Sequence, residues 1–486
     1  MGNTLERDSK KEVAVADVVR YGDKLIVPHG MKYPQAIDLL HRRMKYEEET
    51  VELSEVFAAF PWDGAYALEN VLIEKFGWAP SETKPGGFFQ PPEPPQLIAI
   101  EIAPGQMHNV GWGRFSLPTV KGYIDCSVAR TDAGIRFKID AVVKRMDEET
   151  VKDLFKRVRE RLQTHSIYRG QAIKLRFRND KGQPLDMPQP KFINTDKIDP
   201  DELIYSKHIE QSIVTNLFTP ITRTDDILAN GMVVKRGVLL YGQYGTGKTL
   251  AARIAAKLAV QSGLTYVSVL RADELDDAIN FSRLYGKPAC VLFCEDIDRA
   301  MSGERSVKID DILNIIDGVD SKDLNLITVL TSNHADTINP AMLRPGRLDA
   351  IIEVEAPDAE ACERLIRRVA GRAVDESTDV SEAAKHLAGN VPAVITEVVK
   401  RAKLSQLALS PKGTRVEKLT SAALIDAAVT MKRQNDLLAR AAAPKPGAPT
   451  LDLAFAEVIK ANASGSGRTI SGSVDMDDGS LDATLQ

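Results

Sequence analysis

Hydrophobic residues recur at different spacings along the chain, and the first spacing is helical. Residues 33–51 and 62–76 place apolar side chains three and four positions apart, as on one face of a helix. In the first segment this face collects Ala36, Leu39, Leu40 and Met44, with Ile37 beside them. The pattern predicts a helical N-terminal domain over residues 1–80.

The spacing changes after a Pro- and Gly-rich stretch at residues 81–96, which predicts a linker. Short apolar runs rich in β-branched residues predict strands at 97–102, 122–129, 135–143 and 172–177. Helical spacing returns at residues 148–163. We therefore predict a small α+β domain over residues 97–180, followed by a polar, Pro-containing connector over residues 181–200.

Further along, the apolar runs become continuous, which is typical of strands buried on both faces of a parallel sheet. These runs are residues 238–241, 266–269, 289–294 and 326–332. An Ala-rich helical run at 250–260 follows the first of them. From residue 441 to 486 the chain is rich in Ala, Pro, Gly, Ser and Asp, which predicts a mostly disordered tail with at most a short helix at 451–461.

Composition narrows the class of protein. With 486 residues, 43% of them apolar and 27% charged, the chain should form more than one globular domain, and its net charge of −5 indicates no particular partner. No run of about 18 apolar residues predicts a membrane span. The cysteines lack the spacing of zinc or disulfide sites, so we predict reduced, buried thiols in a cytoplasmic protein. They are Cys126, Cys290, Cys294 and Cys362.

The clearest chemical pattern is a glycine-rich segment between a predicted strand and a predicted helix. It has the form G-x-x-x-x-G-K-[ST] and consists of Gly242, Gln243, Tyr244, Gly245, Thr246, Gly247, Lys248 and Thr249, with Leu250 next. Glycines let the backbone approach phosphates closely, and N–H groups at a helix N-terminus attract anions. The pattern predicts that residues 242–250 bind ATP, that Lys248 reaches the β- and γ-phosphates and that the Thr249 hydroxyl ligates Mg²⁺.

Polar side chains follow two of the predicted buried strands. Glu295 and Asp296 come after the run that ends at Cys294, and Asn333 follows Ser332. Because ligands bind at the carboxyl edge of a parallel sheet, we expect these groups to face one crevice. One carboxylate can hold Mg²⁺ while another polarises the attacking water, and the amide can orient that water.

The segment from about residue 221 to residue 402 resembles the AAA module of AAA+ ATPases. The stretches 313–319 and 343–349, the second of which reads Leu-Arg-Pro-Gly-Arg-Leu-Asp, are similar to the branch that contains proteasomal and membrane-fusion ATPases. The resemblance implies an α/β P-loop NTPase fold, with a large domain over residues 201–355 and a helical lid over residues 356–440.

The same resemblance implies roles for individual residues. Residues 242–249 would form the Walker A motif, Glu295 would ligate the metal and Asp296 would be the catalytic Walker B carboxylate. Asn333 would be sensor 1. Arg344 and Arg347 would be arginine fingers that act on a neighbouring subunit, since an arginine in a rigid turn suits charge stabilisation on a transferring phosphoryl group. The family pattern further implies a homo-oligomeric ring, a hexamer, that uses ATP and Mg²⁺.

Three departures from the family pattern affect this interpretation. Gln243 and Tyr244 replace the usual Pro-Pro, at positions that need backbone geometry more than side chains. The order Glu295–Asp296 reverses the usual Asp–Glu, which shortens the catalytic side chain by one methylene. Residues 270–277 lack the aromatic-apolar-Gly pore loop of threading unfoldases. The Glu–Asp order and the short segment before it are similar to the mitochondrial translocase family that exports the Rieske iron–sulfur protein.

Three functions are compatible with these patterns. The first is a ring that remodels, unfolds or translocates a protein substrate recognised by its N-terminal domains. It predicts that removal of residues 1 to about 178 leaves basal ATPase activity largely intact but abolishes substrate-stimulated turnover. Residues 136–178 contain thirteen Lys or Arg against six Asp or Glu, so a DNA- or RNA-associated motor or loader is an alternative. The Glu–Asp order favours a third, a nucleotide-gated scaffold with slow hydrolysis.

Overall fold

The computed structural model divides into two compact units, Met1–Pro357 and Asp358–Gln486. It describes residues 19–21, 24–27, 30–78, 96–297, 324–333, 348–413, 415–442, 472–474 and 481–483.

The strands of the first unit are numbered in chain order. They are β1 (Val19–Tyr21), β2 (Lys24–Ile26), β3 (Thr50–Phe57), β4 (Gln96–Ala103), β5 (Gln106–Trp112), β6 (Arg114–Ser116), β7 (Gly122–Thr131), β8 (Gly134–Lys144), β9 (Ala172–Lys174), β10 (Lys191–Phe192), β11 (Arg236–Tyr241), β12 (Thr265–Val269), β13 (Cys290–Cys294), β14 (Leu326–Ser332) and β15 (Ala350–Glu353). Its described α-helices are α1 (Tyr33–Glu47), α2 (Pro61–Phe76), α3 (Glu148–Thr164), α4 (Lys207–Ile213), α5 (Thr219–Thr222), α6 (Thr224–Ala229), α7 (Lys248–Gln261) and α8 (Leu275–Tyr285).

The N-terminal part is built on a four-stranded antiparallel sheet in the order β3-β8-β7-β6. Strand β3 pairs with β8 from Thr50 opposite Lys144 to Phe57 opposite Phe137. The prediction of a helical domain over residues 1–80 is therefore wrong, since this region contributes an edge strand to the sheet of the next segment. The helical prediction for residues 33–51 is right up to Glu47, where α1 ends, and wrong for the last two residues, because β3 begins at Thr50. Within β3, Val51 and Leu53 alternate with exposed residues, as in a strand with one covered face.

The second sheet has seven strands in the order β10-β9-β12-β13-β14-β11-β15, and all are parallel to their neighbours except β10. Every residue of β12, β13 and β14 is buried, as the continuous apolar runs predict. Strand β9 corrects the predicted boundary at residue 180. Its Ile173 lies opposite Val267 of β12, so the chain enters this sheet before residue 180. Residues 181–200 then supply β10, which pairs with β9.

One hydrophobic core joins the two sheets. Phe60 at the start of α2 lies 5.2 Å from Phe281 of α8, measured between ring centroids. Tyr168, after α3, lies 5.6 Å from Tyr285 at the end of α8. All four rings are buried. Phe60 and Tyr168 belong to the N-terminal part, whereas Phe281 and Tyr285 belong to α8, which connects β12 to β13 of the parallel sheet. Because these side chains pack together, the N-terminal part is not a domain held only by a linker.

A buried carboxylate completes this junction. Asp63 of α2 accepts hydrogen bonds from Ser166 Oγ at 2.7 Å and from the Ile167 backbone N–H at 3.0 Å. Desolvation by burial raises the pKa of Asp63 to about 6, although both hydrogen bonds favour its ionised form. The Tyr285 hydroxyl accepts a hydrogen bond from the Phe60 N–H at 2.8 Å. Polar groups at the junction are thus paired across three separate segments.

The described part of the second unit is mainly helical. Its helices are α9 (Ala359–Ala370), α10 (Ser381–Leu387), α11 (Pro392–Ala408) and α12 (Ser421–Ala442), and a short antiparallel strand pair consists of β16 (Gly472–Val474) and β17 (Leu481–Ala483). The Asp358 side chain caps α9 by accepting from the Ala361 N–H at 2.8 Å. The predicted helix at 451–461 lies outside the described residues.

Two expectations from composition can be compared with the structure. All four cysteines are buried and none forms a disulfide, as predicted. Within the described ranges, no helix is both long enough and apolar enough to cross a membrane.

Candidate functional site

The glycine-rich loop connects the end of β11 to the start of α7. Gly242 and Gly247 have φ values of +149° and +104°, which L side chains rarely adopt. A Cβ atom on Gly242 would stand 2.4 Å from the Val354 carbonyl oxygen. Gly247 is the N-cap residue of α7, so the N–H groups of the first helical turn face into the loop. This is the local geometry of a phosphate cradle.

Lys248 lies inside the loop, with only 6% of its surface exposed. Its Nζ atom donates hydrogen bonds to the carbonyl oxygens of Gly242 at 2.6 Å and Gln243 at 2.8 Å. The ammonium group is therefore held beside the peptide groups that would surround a phosphate. Tyr244, one of the two residues that replace the usual prolines, is 66% exposed, so its side chain lies outside the interior of the loop.

Thr249, the first-turn residue after Lys248, meets the first of the two carboxylates. Its hydroxyl donates a hydrogen bond to Glu295 Oε1 at 3.0 Å. Oxygen ligands of this kind are the ones that Mg²⁺ prefers, and the ion usually keeps several waters beside one or two protein ligands. The two side chains fit a magnesium site that the phosphates of a nucleotide would complete.

The second carboxylate residue, Asp296, is held by two hydrogen bonds, one from Asn333, which follows β14, and one to Thr331 within β14. Asn333 Nδ2 donates to Asp296 Oδ1 at 2.8 Å, and the Asp296 N–H donates to Thr331 Oγ1 at 2.9 Å. Asp296 itself has a φ of +44°, in the left-handed region that Asp tolerates better than most residues. Thr331 is only 1% exposed, so this anchor is part of the core.

Sheet order explains why these groups meet. Strands β13, β14 and β11 are neighbours, and their carboxyl ends carry Glu295 and Asp296, then Asn333, then the glycine-rich loop. The Gly242 N–H donates to the Ser332 carbonyl at 3.2 Å, which ties the loop to the end of β14. The predicted site residues from two strands and one loop therefore lie together at one edge of the sheet.

Several other predicted residues cannot be placed in this way. Arg344 and Arg347 lie outside the described residues, as does the stretch 313–319.

Two residues that contribute to the site were not predicted from the sequence. Thr331 could have been suspected, because it is a polar residue in a strand that is otherwise mainly apolar. Tyr205, whose hydroxyl donates to the Gly247 carbonyl at 2.8 Å, has no sequence signal that we recognise.

The segment that stands in place of the aromatic pore loop is short and is held by hydrogen bonds to the chain after β9. After β12 the chain makes a 3₁₀ turn at Ala272–Glu274 and enters α8 directly. Glu274 is buried, and its Oε1 accepts from the N–H groups of Phe177 at 2.8 Å and Arg178 at 2.9 Å. The turn is thereby attached to the chain that leaves β9.

Comparison with known families matches the part of the chain that carries these residues. Residues 238–356 match the family described as "ATPase family associated with various cellular activities (AAA)". The chain contains an AAA ATPase domain. The matched residues of this AAA domain run from β11 to just beyond β15, so they include the glycine-rich loop, Glu295, Asp296 and Asn333. The α/β P-loop NTPase fold expected from the sequence is the fold of this domain.

Curated relatives match over a similar region. The chain is 32% identical over 191 residues to the proteasome-activating nucleotidase of Methanococcus vannielii, covering 34% of this chain and 46% of that protein. It is 26% identical over 260 residues to the ATP-dependent zinc metalloprotease FtsH 1 of Conexibacter woesei, covering 49% of this chain and 38% of the relative. It is 34% identical over 189 residues to FtsH 2 of Sorangium cellulosum, covering 35% and 31%. The chain therefore spans less than half the length of each of these relatives.

Proposed function

We propose that this chain is a subunit of an ATP-hydrolysing AAA+ ring, a hexamer, that remodels, unfolds or translocates a protein substrate. The observation that carries the proposal is the pair of contacts Thr249–Glu295 and Asn333–Asp296 at 3.0 and 2.8 Å beside the glycine-rich loop. Together they provide a phosphate cradle, a set of metal ligands and a carboxylate with an amide partner, which are the parts that phosphoryl transfer to water needs.

Each residue has a proposed task in that reaction. Lys248 places its ammonium charge against the β- and γ-phosphates, where negative charge accumulates. Thr249 and Glu295 hold Mg²⁺, which supplies further charge stabilisation at the phosphates. Asp296 accepts a proton from the attacking water or orients it, and Asn333 fixes the carboxylate through the hydrogen bond to Oδ1. The left-handed backbone at Asp296 sets the direction of a side chain one methylene shorter than the usual glutamate.

The Walker B assignment predicts that the two neighbouring carboxylates give different defects. An Asp296→Asn variant should keep ATP bound while its hydrolysis falls by about a hundredfold, because the amide cannot take up a proton. Glu295→Gln should instead raise the Mg²⁺ concentration needed for half-maximal activity. Nucleotide retention and phosphate release, measured across a Mg²⁺ titration, separate the two.

Two outcomes of that experiment would change the assignment. If Asp296→Asn still turned over ATP while Asp298→Asn was inactive, the catalytic role would pass to Asp298. If the wild-type protein bound ATP tightly without turnover, the scaffold interpretation would replace the motor.

The ring is proposed from the two arginines of the Leu-Arg-Pro-Gly-Arg-Leu-Asp stretch. In this family such arginines complete the site of the next subunit, so Arg344 and Arg347 would act in trans. Mixing Arg347→Ala protein with Lys248→Ala protein should then restore part of the activity, because some interfaces pair an intact arginine with an intact phosphate loop. Steady-state turnover of the mixture against each variant alone measures this restoration. A protein that stays monomeric with ATP, and whose specific activity is independent of its concentration, would rule the ring out.

Protein is the proposed substrate because the relatives include a proteasome-activating nucleotidase and ATP-dependent metalloproteases. We propose that the N-terminal part recognises the substrate, since residues 270–277 lack an aromatic pore loop and Glu274 holds this turn in place. The proposal concerns ATP-driven remodelling of that substrate.

The nucleic-acid alternative is not favoured by the surface of α3. Helix α3 carries five Lys or Arg residues, and each lies within 4.0 Å of a carboxylate. Two of these ion pairs join α3 to other elements, Arg159–Glu55 at 2.6 Å and Arg161–Glu74 at 2.5 Å. The remaining three are Lys152, Lys156 and Arg157. This face therefore presents mixed charge, whereas phosphate binding calls for a continuous positive stripe.

A further inference from the structure

Tyr205 lies where the connector from the N-terminal part meets the AAA domain. It stands between a 3₁₀ turn at Pro200–Glu202 and the start of α4. Only 4% of its surface is exposed, and it belongs to the core cluster that also contains Ala251 and Ala252 of α7. A tyrosine this deeply buried commonly places its hydroxyl against a specific partner.

That partner is the residue before the phosphate-loop lysine. The Tyr205 hydroxyl donates to the Gly247 carbonyl oxygen at 2.8 Å. The same carbonyl accepts the helical hydrogen bond from the Ala251 N–H at 3.1 Å. The ring also touches the glycine, since a Cβ atom on Gly247 would stand 3.1 Å from the Tyr205 hydroxyl oxygen and 3.2 Å from Cε1. The side chain thus supports Gly247 both sterically and by a hydrogen bond.

The orientation of this peptide group matters for phosphate binding. The Gly247 carbonyl and the Lys248 N–H belong to one rigid plane, so fixing the carbonyl also fixes the direction of the N–H. The N–H groups at the start of a helix are the donors that contact an anion. Gly247 adopts a φ of +104°, and glycine has no side chain of its own to hold that conformation.

We propose that Tyr205 is a positioning residue for nucleotide binding, which holds the peptide between Gly247 and Lys248 in the orientation that accepts the phosphates. This inference rests on the proposed ATPase function. Burial holds the pKa of Tyr205 well above its ordinary value, so the hydroxyl remains a hydrogen-bond donor over the whole physiological range.

A second contact shows that the connector is fixed to the same helix at more than one point. Lys257 Nζ, two to three turns further along α7, donates to the Ile198 carbonyl oxygen at 2.6 Å. The chain that enters the AAA domain is therefore fixed to α7 at two points. Ile198 contacts the helix at Lys257, and Tyr205 contacts the N-terminal end of the helix at Gly247. Tyr205 is the point at which the chain arriving from the N-terminal part reaches the phosphate loop.

The test removes the hydroxyl and keeps the ring. Tyr205→Phe should weaken binding of a fluorescent ADP analogue about three- to tenfold, the change expected when one buried hydrogen bond is lost. The KM for ATP should rise similarly, while kcat at saturating ATP stays within about twofold. The matched control is Tyr168→Phe, which removes a buried hydroxyl from the core between the two sheets, away from the glycine-rich loop, and should leave the nucleotide dissociation constant unchanged. Melting temperatures without nucleotide report on stability for both variants.

The outcomes separate this inference from the proposed function. If wild-type protein binds the analogue, Lys248→Ala does not, and Tyr205→Phe binds like wild type, the positioning role is wrong and the ATPase proposal stands. If both tyrosine variants bind more weakly in proportion to a lower melting temperature, Tyr205 is structural only, which also overturns the inference. If wild-type protein binds no nucleotide, the proposed function fails and this inference fails with it.

Discussion

A Lys248→Ala variant is expected to lose nucleotide binding and to reduce ATP turnover by at least about a hundredfold, the scale seen when a charge-stabilising group is removed from an active site. The ammonium group is buried in the loop and bonded to the Gly242 and Gln243 carbonyl oxygens. Alanine removes the cation from the phosphate cradle and leaves these two carbonyls facing the anion. Binding of a fluorescent ADP analogue and steady-state phosphate release measure the two effects.

The matched control for this variant lies on the same helix. Arg253 is an exposed residue of α7 five positions after Lys248, so Arg253→Ala removes one positive charge without entering the loop. It should leave nucleotide affinity within about twofold of wild type. Turnover near the wild-type rate in Lys248→Ala would show that the active site has been assigned to the wrong residues.

Removal of residues 1–178 is expected to prevent the AAA domain from folding. The sequence alone predicts the opposite, because it suggests domains joined by linkers. In the structure this truncation deletes β9 from the parallel sheet and uncovers Phe281 and Tyr285, which Phe60 and Tyr168 normally cover. Exposing each large apolar side chain costs about 2 kcal/mol, and a whole domain is stable by only about 5–15 kcal/mol. Soluble yield and a cooperative thermal transition are the measurements.

Two matched variants show whether the shared core is the cause. Phe60→Ala should lower the free energy of unfolding by about 3–5 kcal/mol, because it opens a cavity between α2 and α8. Removal of residues 1–31 should have little effect on the AAA domain, since β1 and β2 pair with each other and not with either large sheet. A 1–178 truncation that melted cooperatively and hydrolysed ATP would show that the junction contributes little stability.

Local chemistry made much of the candidate site predictable. The glycine-rich loop needs particular residue types at fixed spacing, so Gly242 to Thr249 could be read directly as a phosphate cradle. The carboxylates and Asn333 could be predicted because buried parallel strands appear as continuous apolar runs, and because polar residues at their carboxyl ends meet at one edge. The contacts of Glu295 with Thr249 and of Asn333 with Asp296 agree with that expectation.

What the sequence by itself determined is therefore the chemistry whose geometry is set within a few residues: the loop, the strands of the AAA domain and the polar residues that follow them. The tertiary structure alone decided how distant segments meet. Residues 172–174 read as a strand wherever they are placed, and only pairing with β12 assigns them to the AAA sheet. Thr50–Phe57 became a strand because β8 was available as its partner. Tyr205 reached Gly247 across 42 positions of sequence, a contact made by packing, for which local spacing gives no signal.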